Sequence, residues 1–169
     1  RLAEYLEKES SGEEKFVINR AFDVPLATMY KMWTDPNHLS KWLAPTGMTM
    51  KYLKADIREG AESRYSMGNE NMTMFGGIKY IEITPERLVY TQQFHDKDGN
   101  VSRHPAAPTW PETMKTTVQF TAEGDSRTRV TVTWEVFGNA TREEVETFVK
   151  AKSGMSMGWT GSFDKLESY

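Results

Sequence analysis

About six to seven stretches of this chain alternate side chains at a period of two, and apart from the first pair and the long loop at 95–112 they are joined by short links. The period puts Phe16, Ile18 and Arg20 on one face of the first stretch, and Met48, Met50 and Tyr52 on one face of the second. Tyr65 and Met67 share a face in the third, as do Met72 and Met74 in the fourth. Three further stretches cover 87–94, 113–121 and 127–137. Turn residues punctuate them: Arg58-Glu59-Gly60, Gly68-Asn69-Glu70-Asn71, Thr84-Pro85-Glu86 and Gly124-Asp125. Gly76-Gly77, inside the longest stretch, predicts a bulge or bend. Strands in this order with hairpin-length links make an antiparallel sheet. A sheet with one apolar face must be covered.

The cover is at the C-terminus. Thr141 with Glu144 three residues on forms a capping box, and Val145, Phe148, Val149, Trp159, Phe163 and Leu166 follow at helical spacing. Unbroken to Leu166, this helix would be roughly 39 Å long. Gly154, Gly158 and Gly161 predict a kink in it, or close approach to another element. Two short helices follow the first strand. One starts at Asp23-Val24-Pro25, with Asp23 as cap, and carries Leu26, Met29, Tyr30 and Trp33. The other starts at Thr34-Asp35-Pro36, carries Leu39 and Trp42, and closes at Pro45-Thr46-Gly47. A further short helix is expected over 1–11. The predicted organisation is an N-terminal helical extension over 1–11 and a single domain over 12–169.

Composition excludes several function classes. Cysteine is absent, so disulfides, thiolate metal sites and cysteine nucleophiles are excluded. The net charge of -3 and the lack of a basic stripe argue against nucleic acid. No apolar run reaches the ~20 residues of a membrane span, and no export signal appears, so the cytoplasm is the expected compartment. His38, His95 and His104 lack metal-ligand spacing, Gly76-Gly77 lacks the rest of a phosphate loop, and no Gly-x-Ser-x-Gly elbow occurs. No cofactor is called for. General acid–base chemistry is the enzymatic option left, with His95, Tyr65, Tyr90, Arg64 and Glu82 as candidates. Each also has an ordinary structural reading, and the sequence leans toward binding rather than catalysis.

Ten Met, five Trp, seven Tyr and eight Phe suit an adaptable apolar wall. Met48, Met50, Met67, Met72 and Met74 come from neighbouring strands and would face Met155 and Trp159 of the last helix. Residues 95–112 form a long loop with Pro105, Pro108 and Pro111, and Trp110 within it is a candidate lid. Trp33, Trp42 and Trp134 read as core. The predicted ligand-binding set is Met50, Tyr65, Met74, Tyr90, Trp110, Met155 and Trp159, lining one pocket of roughly 300–1,000 Å³.

Three ordered blocks carry a resemblance. Phe22-Asp23-Val24-Pro25 with Trp33-Thr34-Asp35-Pro36, Leu39, Trp42 and Pro45 is the first. Pro85-Glu86-Arg87-Leu88-Val89-Tyr90 is the second, and Gly158-Trp159 with Ser162, Phe163, Asp164, Lys165 and Leu166 is the third. Together they resemble the activator of Hsp90 ATPase homologue 1-like family, within the helix-grip superfamily of START and birch-allergen-like proteins. The resemblance runs from about Phe16 to Tyr169. It departs at Trp42-Leu43-Ala44-Pro45, where a second tryptophan and Gly-Pro are usual. It departs again at Gly60-Ala61, usually Gly-Gly, and at Ser63, where a larger apolar residue is common. The resemblance implies an α+β helix-grip fold: a curved antiparallel sheet wrapped on a long C-terminal helix, with a cavity between them. It implies binding of a small hydrophobic or aromatic molecule. Two other roles follow by family analogy: contact with an Hsp90-type chaperone in a stress response, and aromatase or cyclase activity on a polyketide-type substrate. A homodimer is left open.

Overall fold

The first strand, β1 (Lys15–Phe22), buries Phe16 and Phe22 and leaves Val17 and Asn19 to solvent, as its alternation requires. The computed structural model describes residues 14–105 and 107–169. The helix expected over 1–11 lies outside them. Two short helices follow, α1 (Leu26–Thr34) and α2 (Pro36–Trp42). Asp35 caps α2 by accepting the Asn37 N–H at 2.9 Å. Asp23 does not cap α1: Pro25 stands at the N-cap, where its carbonyl receives the Thr28 and Met29 N–H groups and its ring offers no acceptor for a side-chain cap.

The remaining strands are β2 (Thr49–Lys54), β3 (Glu62–Gly68), β4 (Thr73–Thr84), β5 (Arg87–His95), β6 (Val101–Ser102), β7 (Thr113–Ala122) and β8 (Thr128–Val136). All pairings are antiparallel, in the order β1-β8-β7-β5-β4-β3-β2, with β6 hydrogen-bonded to β5. The two-residue β6 was not legible in the sequence. It extends the β5 hairpin into the proline-rich loop. The expected bulge at Gly76-Gly77 is not there, since both glycines pair in unbroken register with β3 and β5. The irregularity falls instead between Tyr80 and Glu82. The glycines serve another end. A Cβ on Gly76 would lie 2.4 Å from the Tyr65 hydroxyl oxygen, and one on Gly77 would lie 2.3 Å from the His95 ring. Two bare positions therefore let two rings lie flat on opposite faces of β4.

The C-terminal helical region is two helices rather than one. α3 (Arg142–Lys150) keeps the capping box, with the Thr141 hydroxyl accepting the Glu144 N–H at 3.1 Å and Glu144 returning to the Thr141 N–H at 3.0 Å. The helix is interrupted at Ala151, whose N–H still reaches the Thr147 and Phe148 carbonyls, and α4 (Lys152–Ser168) begins. The glycines expected to kink the region lie inside α4. The close approach expected as the alternative is found at Gly161, where a Cβ would stand 2.3 Å from Thr46 Oγ1. Along the same face the Lys165 ammonium donates to the carbonyls of Ala44, Pro45 and Met48.

The core lies between the inner sheet face and α1, α2 and α4. Trp33 meets Trp42 edge-on at 4.7 Å and stacks on Trp159 at 6.0 Å. Phe22 meets Phe163 edge-on at 5.6 Å. Arg20, inward on β1, pairs with Asp164 at 2.8 Å and so ties the sheet's edge to α4. Among the described residues no helix is long and apolar enough to cross a membrane.

Candidate functional site

Toward one end of the sheet the packing opens. A cavity of about 480 Å³ lies between the inner sheet face, α4 and the proline-rich loop. Its wall follows from register. Met50, Met67 and Met74 are successive cross-strand partners on β2, β3 and β4 and form one side. Tyr65 lies over Gly76, Tyr90 comes from β5, and Met155 and Trp159 descend from α4. Trp110 enters from the loop and packs on Phe148 of α3 at 6.1 Å.

All seven residues named from the sequence, Met50, Tyr65, Met74, Tyr90, Trp110, Met155 and Trp159, line this single cavity. Met48 and Met72 are not part of its lining. Met72 precedes β4 and belongs to the Asn69 turn, where Asn69 Oδ1 accepts its N–H at 3.2 Å. Of the family departures, Leu43 lines the cavity, whereas Ser63 is fully buried and its hydroxyl accepts the Asp56 N–H at 2.9 Å. Sequence reasoning missed Trp134, Met114, Phe94 and Gln92, which complete the sheet side of the wall. The inner faces of β5 and β7 carry Gln92 and Thr116 among their apolar residues, and that blurred the alternation.

The loop is fastened. Arg103 donates to the Glu144 carboxylate and, at 3.0 Å, to the Trp110 carbonyl. The Thr109 and Thr147 hydroxyls lie 2.8 Å apart. Glu144 thus caps α3 and anchors the loop with one side chain. The Thr141 backbone N–H, followed by Arg103, holds its carboxyl below the usual glutamate range despite some desolvation.

The acid–base candidates separate by face. Arg64, Glu82 and His95 lie off the cavity. Glu82 pairs with Arg87 at 3.4 Å. His95 lies over Gly77 on the other face of β4, and its pKa is lowered by burial and by Arg64. Tyr65 and Tyr90 do line the cavity, but burial pushes the Tyr65 hydroxyl up to about 12 and raises Tyr90 as well. Both are neutral hydroxyls near pH 7. Among the described residues no cluster of three or more His, Asp or Glu could hold a metal.

Comparison with solved structures gives the same fold. A protein from Chromobacterium violaceum superposes with a TM-score of 0.71 at 23% identity, over 92% of this chain and 95% of its own. One from Mycobacterium smegmatis gives 0.75 at 18% identity, over 93% and 90%. One from Arthrobacter aurescens gives 0.76 at 21% identity, over 92% and 85%. No protein of curated function matches the sequence. The sequence profile described as activator of Hsp90 ATPase homolog 1-like protein matches residues 23–169, and the chain belongs to that family.

Proposed function

We propose that the protein binds a small hydrophobic or aromatic molecule in the cavity between the sheet and α4. Met50, Tyr65, Met74, Tyr90, Trp110, Met155 and Trp159 would contact it. The observation that carries this reading is the cavity itself. About 480 Å³ of space with a mainly apolar lining is the size and character of a small-molecule site. An apolar wall left uncovered loses contacts and stability, so a ligand there replaces contacts that the protein does not make itself. Methionines on three adjacent strands suit the wall to guests of differing outline.

The test is titration with the apolar fluorophore N-phenyl-1-naphthylamine, on the parent and on Met50→Trp. The parent is expected to bind the dye with enhanced emission. The indole is expected to fill the space, abolish dye binding and leave stability within about 1 kcal/mol. Were the region solid, the added bulk would cost ~1–3 kcal/mol by overpacking. A parent that binds no dye, together with a sharply destabilised variant, would overturn the reading.

A further inference from the structure

Gln92 sits at mid-sheet on β5, between Ile78 of β4 and Met114 of β7, and it lines the cavity. An amide on an apolar wall is unfavourable unless its groups find partners. Half of this one has. Gln92 Oε1 accepts a hydrogen bond from Thr116 Oγ1 at 2.5 Å. Thr116 is wholly buried.

The nitrogen is left over. Among the described residues no hydrogen bond uses Gln92 Nε2, and it is not among the polar atoms sealed inside the protein. Among the other polar groups of the wall, the Ser162 and Thr147 hydroxyls are committed within the protein, while the Tyr65 hydroxyl and the Trp110 indole are further donors on it. Ser162 donates to the Leu43 carbonyl at 2.8 Å, and Thr147 to the Glu143 carbonyl at 2.9 Å. The indole N–H groups of Trp134 and Trp159 are sealed beneath the surface.

We propose that Gln92 is a specificity-determining residue of the cavity, donating from Nε2 to a hydrogen-bond acceptor, such as a carbonyl oxygen, on a planar aromatic ligand. Thr116 is its positioning residue. The aromatic part follows from Trp110, Trp134, Trp159 and Phe94 in the wall. The acceptor follows from an amide whose own acceptor is occupied. The proposal rests on the reading of the cavity as a ligand site.

The experiment compares 9-fluorenone with fluorene, probes of the same tricyclic outline that differ by one carbonyl, by calorimetric titration. The parent is expected to bind fluorenone about 5–10-fold more tightly, the worth of one hydrogen bond. Gln92→Met is expected to bring fluorenone down to the fluorene affinity and leave fluorene unchanged. Thr116→Val is expected to shrink the preference without weakening fluorene, whereas a purely structural role would weaken both probes together. The parent comparison decides even if a variant fails to fold. Equal affinities in the parent overturn the proposal and leave the cavity reading intact. Loss of both probes while the naphthylamine dye still binds does the same. Loss of all three overturns both.

Discussion

At Gly76 a single missing methyl decides where a ring goes. Glycine in a strand interior ordinarily costs ~0.5–1 kcal/mol relative to alanine, so Gly76→Ala would stabilise an open site. Here the new Cβ would stand 2.4 Å from the Tyr65 hydroxyl oxygen, so the ring must leave the cavity wall. Gly76→Ala is expected to cost ~1–3 kcal/mol in a urea melt and to weaken dye binding. Removing the ring as well, in Gly76→Ala/Tyr65→Leu, is expected to recover most of the stability. Two independent losses that simply add would count against the contact. The glycine pair was visible in the sequence, but its purpose was not. A strand glycine signals a bulge and a close approach alike, and only the register tells them apart.

Among the elements, the junction of the proline-rich loop with α3 responds to acid. The Glu144 carboxylate is held below its ordinary pKa of 4.5 by the Thr141 N–H and by Arg103. A folded-state pKa below the unfolded one gives stability that is complete above the ordinary value and is lost as pH falls through the folded value. Melting temperatures between pH 6 and pH 3 are therefore expected to fall, with a smaller fall in Glu144→Gln, which keeps the cap geometry without the titrating group. Parallel pH curves would remove Glu144 from the cause. The packing of α4 on the 43–48 segment gives a second check. Gly161→Ala places a methyl 2.3 Å from Thr46 Oγ1 and 3.2 Å from the Thr46 backbone nitrogen. Backbone yields less than a side chain, so a loss of ~1–3 kcal/mol in a denaturant melt is expected. The same substitution at Gly154, which has open space around it, is expected to stabilise by up to ~1 kcal/mol. The helix glycines allow either a kink or a close approach, and Gly161 shows the second while the break falls elsewhere. Helix propensity marks glycines as weak points, but these glycines sit where the helix touches its neighbour or faces open space. The break falls at Ala151, beside the site where Glu144 and Thr147 hold the loop, and no local residue pattern announces it.

For the molecule as a whole, a ligand that binds only the folded state stabilises it by mass action. At a hundredfold excess over Kd this amounts to ~2.7 kcal/mol. For a chain of this size that corresponds to a rise of ~5–10 °C in melting temperature. Saturating fluorenone is expected to produce it in the parent and not in Met50→Trp; an equal rise in both would place the binding elsewhere. The architecture was legible because its signals are periodic: two for the strands, 3.6 for the terminal helices. Six of the seven cavity residues were legible for the same reason, although Met48 and Met72 share those faces without lining the cavity, and Trp110 was legible instead as the aromatic of the long loop. Gln92, Met114 and Trp134 were not, because the β5–β7–β8 part of the wall mixes Thr and Gln into its inner face, and composition alone reads that as solvent.

The sheet order also sets a timetable. β1 is an edge strand whose partner is β8, and the bond from Thr128 to the Val24 carbonyl beyond β1 joins residues 104 apart in the chain. A growing chain that emerges from its N-terminal end must hold β1 unpaired until β8 is made. It must then hold the apolar face of the finished sheet bare until α4 arrives. Contacts this distant slow folding, and edges left open invite neighbouring chains. The surface that ends as the wall of a cavity is thus, during synthesis, the last part of this protein to be covered.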